Sequence, residues 1–344
     1  MSDFDYDLPS ELIAQEPLAD RDHSRLLVLD RATGETAHRS FEALPDLLDP
    51  GDLLVVNDSR VLPARLIGHR ESGAEVEVLL LRQEADGAWR ALARPTRRLR
   101  LEERIIVLPK PGHPGEETGV TLVAKLDDGE VLVRLDDQLA MHLDDYGRVP
   151  LPPYITHTLQ DDERYQTVYA REKGSAAAPT AGLHFTDEIF RRLDERGIAR
   201  TSVTLHVGLD TFRPVMEDFA DEHVIHQEWC SVAEEAWAQI AATKARGNRV
   251  VAVGTTAART LETLGQRVRR GEGGPFAAMT DIFITPGYEW QMVDAMVTNF
   301  HLPKSTLLLM ISAFAGRDHV LAAYREAIAE RYRFFSFGDA MLLR

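Results

Sequence analysis

Residues 249–264 read RVVAVGTTAARTLETL, an apolar strand (RVVAV) that breaks at Gly254 and runs straight into a helix (AARTLETL). The alternation continues on both sides. TDEIFRRLDERG (186–197) and AEEAWAQIAATKARG (233–247) read as helices, and RTSVTLHVG (200–208) and TDIFIT (280–285) as strands. Helices alternating with strands predict an α/β layer fold. Toward the N-terminus there are helix signals at Pro9–Gln15 and strands at Leu26–Asp30 and Leu53–Asn57. Between about 62 and 150 the texture changes to short alternating runs such as EVEVLLL, AWRALA, RIIVL and VLVRLDD. Gly, Pro and Asp separate them at strand-plus-turn spacing, which predicts a small all-β barrel or sandwich. The expected organisation is a large mixed α/β domain, 1–61 and 153–344, interrupted by a small β-domain, 62–152, with VPLPP (149–153) as the return linker.

Composition narrows the class. At 344 residues and 44% hydrophobic, the chain has ample core for two domains. Cys230 is the single cysteine, so neither an internal disulfide nor a cysteine zinc site can form, and a reducing cytoplasm is expected. The opening MSDFDYDLPSELIAQEP lacks the apolar core of a signal peptide. The longest apolar run, LLLMISAFA (307–315), is too short to span a bilayer. A net charge of −16 argues against indiscriminate polyanion binding but leaves room for a local basic patch.

Residues 90–104, RALARPTRRLRLEER, supply such a patch: six Arg less two Glu gives +4. Arginine forks match phosphate oxygens, so Arg94, Arg97, Arg98 and Arg100 are expected either to bind RNA or to form a solvated strand edge.

Polar clusters gather at the ends of the α/β elements. The stretch 280–316 carries Thr298-Asn299-Phe300-His301, and Pro303 opens an apolar helix with Ser305 and Thr306 in its first turn. So many hydrogen-bonding side chains at element ends suit the floor of an active site. Asn57-Asp58-Ser59-Arg60 follows an apolar strand, where it either faces a ligand or closes the strand as an Asx-turn. In APTAGLHFT (178–186), Thr186 fits a helix N-cap, whereas His184 is equally a core histidine or a site histidine. HVGLDTF (206–212) ends another strand, and Gly254-Thr255-Thr256 offers free N–H groups and two hydroxyls to an anion. Neither a GxxxxGK[ST] loop nor a GxGxxG fingerprint is present.

The ordered set NDSRVLPARL (57–66), APTAGLHFT (178–186), HVGLDTFRPV (206–215), VGTTAARTLE (253–262), TDIFITPGY (280–288), TNFHLPKSTLL (298–308) and SFGDAML (336–342) closely resembles the S-adenosylmethionine:tRNA ribosyltransferase-isomerases of queuosine biosynthesis. The resemblance runs from residue 3 to the C-terminus and is weakest at 70–150. It implies a mixed α/β domain with an inserted β-barrel, no metal or redox cofactor, and a monomer. It also implies transfer and isomerisation of the ribosyl part of S-adenosylmethionine onto 7-aminomethyl-7-deazaguanine at the tRNA wobble position. Epoxyqueuosine-tRNA forms, and adenine and methionine leave.

The resemblance marks the motifs but does not assign roles. The sulfonium acidifies the ribose C5′ protons, so a general base is expected among His184, His206 and His301. Asp281 or Asp294 would protonate or hold adenine, or pair with the sulfonium. Gly254, Thr255, Thr256 and Arg259 would take the methionine carboxylate, while Asn57, Asp58, Ser59, Arg60 and Arg65 would face the modified base or its phosphate. Thr180, Phe185, Thr211, Asn299, Ser305 and Thr306 complete the expected substrate contacts. The family pattern has Gly where this chain has Asp210, a residue that tolerates positive φ at modest cost. A phosphoribosyl- or methyltransferase and a non-catalytic RNA-binding module are the rival readings.

Overall fold

The computed structural model describes residues 2–127, 129–157, 159–208, 225 and 227–344. Asp210 and Thr211 therefore lie outside the described residues. The chain divides into two compact units, Met1–Arg60 with Pro152–Arg344, and Val61–Leu151.

The larger unit is built on a nine-stranded mixed sheet. Its order is Phe276–Thr280, Glu228–Val232, Ala199–Leu205, Leu53–Asn57, Val250–Val253, Ala295–Asn299, Ala340–Leu343, Arg25–Leu29 and Thr36–Ser40. The four strands from Ala199–Leu205 to Ala295–Asn299 are parallel. Leu53–Asn57, Val250–Val253 and Ala295–Asn299 are buried at every position, the pattern of strands covered on both faces. Period-two alternation divides their side chains between two cores. Leu53, Val55, Val250, Ala252 and Met296 meet Ala257, Ala258, Leu261 and Leu264 of the helix Gly254–Arg269. Leu54, Val56, Val251, Val253 and Val297 meet Ile189, Phe190 and Leu193 of the helix Asp187–Glu195. Each fully buried leucine in these layers contributes roughly 2 kcal/mol. Thr186 caps its helix by accepting from the Ile189 N–H at 3.2 Å.

Three local expectations need correction. Pro9–Gln15 forms only the short 3₁₀ turn Ser10–Leu12. The strand expected at TDIFIT (280–285) ends at Thr280, because its partner runs out where Thr280 meets Glu228. Beyond it Ile282 and Ile284 still bury their side chains. The helix after Pro303 begins at Thr306, with Ser305 as its N-cap accepting from the Leu308 N–H at 3.2 Å.

The smaller unit is a closed antiparallel barrel in the order Val131–Leu135, Trp89–Arg94, Glu75–Gln83, Arg65–His69, Arg104–Val107, Thr118–Lys125. Closure removes the exposed edges that a small sheet would otherwise present. Alternate residues, among them Val76, Val78, Leu80, Val131 and Val133, fill its interior. At Gly68 a Cβ would sit 2.7 Å from the Ile106 carbonyl oxygen, so only glycine lets the strands approach there.

Among the described residues no single helix is long and apolar enough to cross a membrane.

Candidate functional site

The four parallel strands end together at Leu205, Asn57, Val253 and Asn299. In chain order they run second, first, third, fourth across the sheet, so the build-out reverses between Leu53–Asn57 and Val250–Val253. Open α/β sheets bind ligands beyond the carboxyl ends of their strands at such a reversal. Ala340–Leu343 runs antiparallel, pairing Ala340 with Asn299, and so brings Phe335 and Ser336 to the same edge. A pocket opens there. Its walls include Tyr154, Thr180, Val207, Gly254, Thr255, Thr256, Thr298, Asn299, His301, Ser305, Phe335 and Ser336.

Gly254 holds φ at +85°, the left-handed turn that lets the strand pass directly into the helix Gly254–Arg269. The N-cap position is Val253, which has no side-chain oxygen to satisfy the first N–H groups. Thr256 Oγ1 is shielded from solvent and has no partner among the described residues. One turn on, Arg259 is buried against Glu228, which also accepts from the Gly208 N–H at 2.9 Å. Among the described residues the Nε and Nη2 of Arg259 have no partners. Buried donors left unpaired cost free energy, so this helix start is suited to receiving an anionic group.

The two imidazoles at this edge differ. His184 Nδ1 lies 2.7 Å from Ser24 Oγ, and its Nε2 lies 3.1 Å from Asn299 Nδ2. The amide N–H can only donate, so Nε2 is the acceptor and its lone pair is engaged. His301 Nε2 lies 2.8 Å from Thr298 Oγ1, whose own proton points to the Asn299 carbonyl at 3.3 Å. With the hydroxyl proton on that carbonyl, the ring bears its own proton on Nε2 and keeps its lone pair on Nδ1. The backbone of His301 is clamped from both sides, its N–H donating to Tyr324 OH at 2.8 Å and its carbonyl accepting from Tyr6 OH. Burial pushes both imidazoles down to about 3, with the Arg333 guanidinium adding to the effect at His184, so both are neutral near pH 7.

Asn299 is locked by donating to His184 and, at 3.2 Å, to the Phe335 carbonyl, while its buried Oδ1 has no partner among the described residues. Phe335 itself sits at φ +70°, a conformation costly for a bulky residue, on the order of 1–3 kcal/mol. Strain of this kind gathers at sites where the surroundings dictate the geometry.

Several expected site residues do not line this pocket. Asn57 Oδ1 accepts from the N–H groups of Ser59 and Leu205, both at 3.1 Å, which is an Asx-turn tied to the neighbouring strand. Asp58 accepts from Thr204 and Arg171, each at 2.8 Å, Arg60 pairs with Glu163, and Ser59 is buried in the short strand Ser59–Val61. Asp294 lies at the opposite edge of the sheet, holding Lys244 at 3.0 Å and the Val250 N–H at 2.8 Å. Asp281 is exposed beyond the strand end. Arg65 belongs to the barrel and pairs with Glu77 at 2.6 Å. Phe185 is core, stacked on Phe190 with centroids 5.2 Å apart. Thr306 starts its helix without reaching the pocket wall, and His206 stacks on Trp229 beside Val207. Of the barrel arginines, Arg90 and Arg104 are ion-paired, whereas Arg94, Arg97, Arg98 and Arg100 are exposed without ion pairs among the described residues.

Three residues at this edge were missed. Tyr154 OH and Ser336 Oγ lie 2.7 Å apart in the pocket wall, and Ser24 orients His184. Ser336 sits in the SFGDAML motif, which could have flagged it; nothing local distinguishes Tyr154 or Ser24.

The whole-chain comparisons agree on one relationship. The model of the queuosine biosynthesis protein family matches residues 1–343. Curated relatives named S-adenosylmethionine:tRNA ribosyltransferase-isomerase are 53% identical in Symbiobacterium thermophilum, 50% in Desulfitobacterium hafniense and 47% in Thermotoga petrophila. Each alignment covers 100% of this chain and 99% of the relative. The crystal structure of an S-adenosylmethionine tRNA ribosyltransferase from Thermotoga maritima is 38% identical, with a TM-score of 0.58 over 99% of this chain and 100% of that one. A mixed α/β sheet with a closed six-stranded barrel is thus the expected fold class, and the chain belongs to the queuosine biosynthesis protein family.

Proposed function

We infer that this chain is an S-adenosylmethionine-dependent tRNA ribosyltransferase-isomerase. It moves the ribosyl moiety of S-adenosylmethionine onto 7-aminomethyl-7-deazaguanine at the wobble position, isomerises it to give epoxyqueuosine-tRNA, and releases adenine and methionine. Full-length identity of 47–53% to relatives bearing that enzyme's name carries the reading. S-adenosylmethionine is consumed as a co-substrate. Its sulfonium supplies the activation, so the proposal includes no metal or redox cofactor. The enzyme acts as a cytoplasmic monomer, with the anticodon arm of tRNA as its macromolecular partner.

The pocket chemistry suggests roles. The methionine carboxylate binds the N-terminus of the helix Gly254–Arg269, through Thr255, Thr256 and the unpaired guanidinium nitrogens of Arg259. Asn299 Oδ1, the unpartnered acceptor, takes an N–H of adenine and so replaces Asp281 and Asp294 in that role. His301 Nδ1 removes the C5′ proton, because His184 has both nitrogens engaged. Tyr154 and Phe335, in the pocket wall, are the aromatic residues set against the extruded deazaguanine. Arg94, Arg97, Arg98 and Arg100 contact RNA phosphates.

Digesting the treated tRNA and weighing its nucleosides tests the reaction. A ribosyl-derived mass increase supports it. A methyl increase with S-adenosylhomocysteine replaces it with methyl transfer, and tight binding without turnover leaves a binding module.

A further inference from the structure

Behind His184 lies a second, smaller cleft, walled by Arg21, Ser24, Arg164, His184, Ser336 and Phe337. Ser336 also lines the main pocket, so the two cavities share a wall. The guanidinium groups of Arg21, Arg164 and the nearby Arg333 are unusual in what they bind. Arg21 donates to the carbonyls of Leu183 at 3.3 Å and Glu163 at 2.8 Å. Arg164 donates to the carbonyls of Ala19, at 3.1 Å, and Leu18. Arg333 donates to the Glu16 carbonyl, and its Nη1 is buried with no partner among the described residues.

Elsewhere the half-buried arginines face carboxylates, as Arg70 does Glu103 and Arg249 does Asp52. Among the described residues none of these three makes an ion pair. Carbonyl partners fix a guanidinium in place without cancelling its charge. Asp161 and Glu163 stand within electrostatic reach of Arg21, as Asp339 does of Arg333, and temper the charge without pairing with it. Burial raises the cost of holding Arg21 charged, and repulsion from Arg164 adds to it. Half-buried positive charge that is oriented but not neutralised awaits an anion.

We propose that this arginine cleft holds a backbone phosphate of the RNA substrate, beside the nucleotide whose base enters the main pocket across the Ser336 wall. The assignment rests on the tRNA reading above. It differs from the barrel patch in location and in kind: its guanidinium groups are pre-oriented by carbonyls, a rigid seat for one phosphate rather than a diffuse field.

The test uses the full chain with a modified anticodon stem-loop. Arg21→Gln and Arg164→Gln should each weaken RNA binding roughly tenfold. The slope of log K against log salt should become shallower by about 0.7–0.9 per lost contact, with the KM for S-adenosylmethionine unchanged. Folded variants with wild-type affinity and slope overturn the proposal. Because the carbonyl contacts also hold Leu18, Ala19, Glu163 and Leu183 in place, a second measurement leaves the protein intact. Stem-loops carrying a neutral methylphosphonate at each phosphate flanking the modified nucleotide are titrated against the wild type. One position should lose about tenfold in affinity; uniform affinity overturns the cleft. Failure of the wild type to modify tRNA would instead overturn the functional reading.

Discussion

Asn299 Nδ2 stands 3.1 Å from His184 Nε2 and 3.2 Å from the Phe335 carbonyl oxygen. These two bonds use both amide protons and fix the carboxamide plane, so Oδ1 is left as a rigid, unpaired acceptor at the pocket. His184 thereby serves as the positioning residue for Asn299, with Ser24 holding the other ring nitrogen.

The first prediction concerns that amide. Asn299→Ala should lower kcat for adenine release about a hundredfold or more while leaving the fold intact, in line with loss of a pre-oriented polar group. His184→Gln should retain more activity than His184→Ala, because a glutamine amide can still accept from Asn299. Equal activity of Asn299→Ala and wild type would remove Asn299 from the site.

His301 is the proposed base. His301→Ala should lower kcat by well over tenfold, whereas His206→Ala, away from the pocket, should alter it little. Losses below tenfold for both His184→Ala and His301→Ala, with folding preserved, would falsify a histidine base.

Proton linkage gives an independent check. Both buried imidazoles have folded pKa values of about 3, below the ordinary 6.5. As pH falls, the unfolded chain takes up these protons before the folded one does. Their effect is absent above about 6.5, and stability is then lost progressively down to about 3. Each contributes a slope of about 1.4 kcal/mol per pH unit inside that window. Denaturant midpoints at pH 7 and pH 5 should therefore separate less in His184→Gln/His301→Gln than in the wild type. Equal separations would place these rings in contact with solvent.

Glu262 illustrates a motif residue with a structural task. Fully buried, it accepts from the N–H groups of Gln291, Met292 and Val293 at 2.9–3.0 Å and from Tyr288 OH at 3.0 Å. Glu262→Ala should destabilise the protein by about 3 kcal/mol or more, since several buried donors lose their acceptor. Thermal unfolding at neutral pH measures it, and an unchanged midpoint refutes the role.

How far the sequence reveals the site follows from where its signals come from. The Val253–Gly254 junction was readable because an apolar run that stops at glycine and continues as a helix has one placement, at the carboxyl edge of a parallel sheet. Asn299 and His301 shared that advantage. Asp294 did not: it lies on the same strand run as Asn299, five residues back, or roughly 16 Å at about 3.3 Å per residue. Without the strand's direction and extent, both ends look alike. Asn57-Asp58-Ser59-Arg60 misled for another reason, since an Asx-turn and a ligand loop draw on the same side chains. Ser24 and Tyr154 reach the site only through pairings distant in sequence, and no local pattern announces them.

The barrel arginines offer a test of RNA contact. The double change Arg97→Glu/Arg98→Glu should raise the KM for tRNA about tenfold or more and spare that for S-adenosylmethionine. Unchanged constants for both substrates would make the patch a solvated edge.

The central claim is tested most directly by following adenine and methionine together. The wild-type chain is incubated with S-adenosylmethionine and tRNA carrying 7-aminomethyl-7-deazaguanine. Equal release of the two products, dependent on the modified base and absent with unmodified tRNA, is the predicted result. S-adenosylhomocysteine in their place, or no release from a folded protein, would contradict the account.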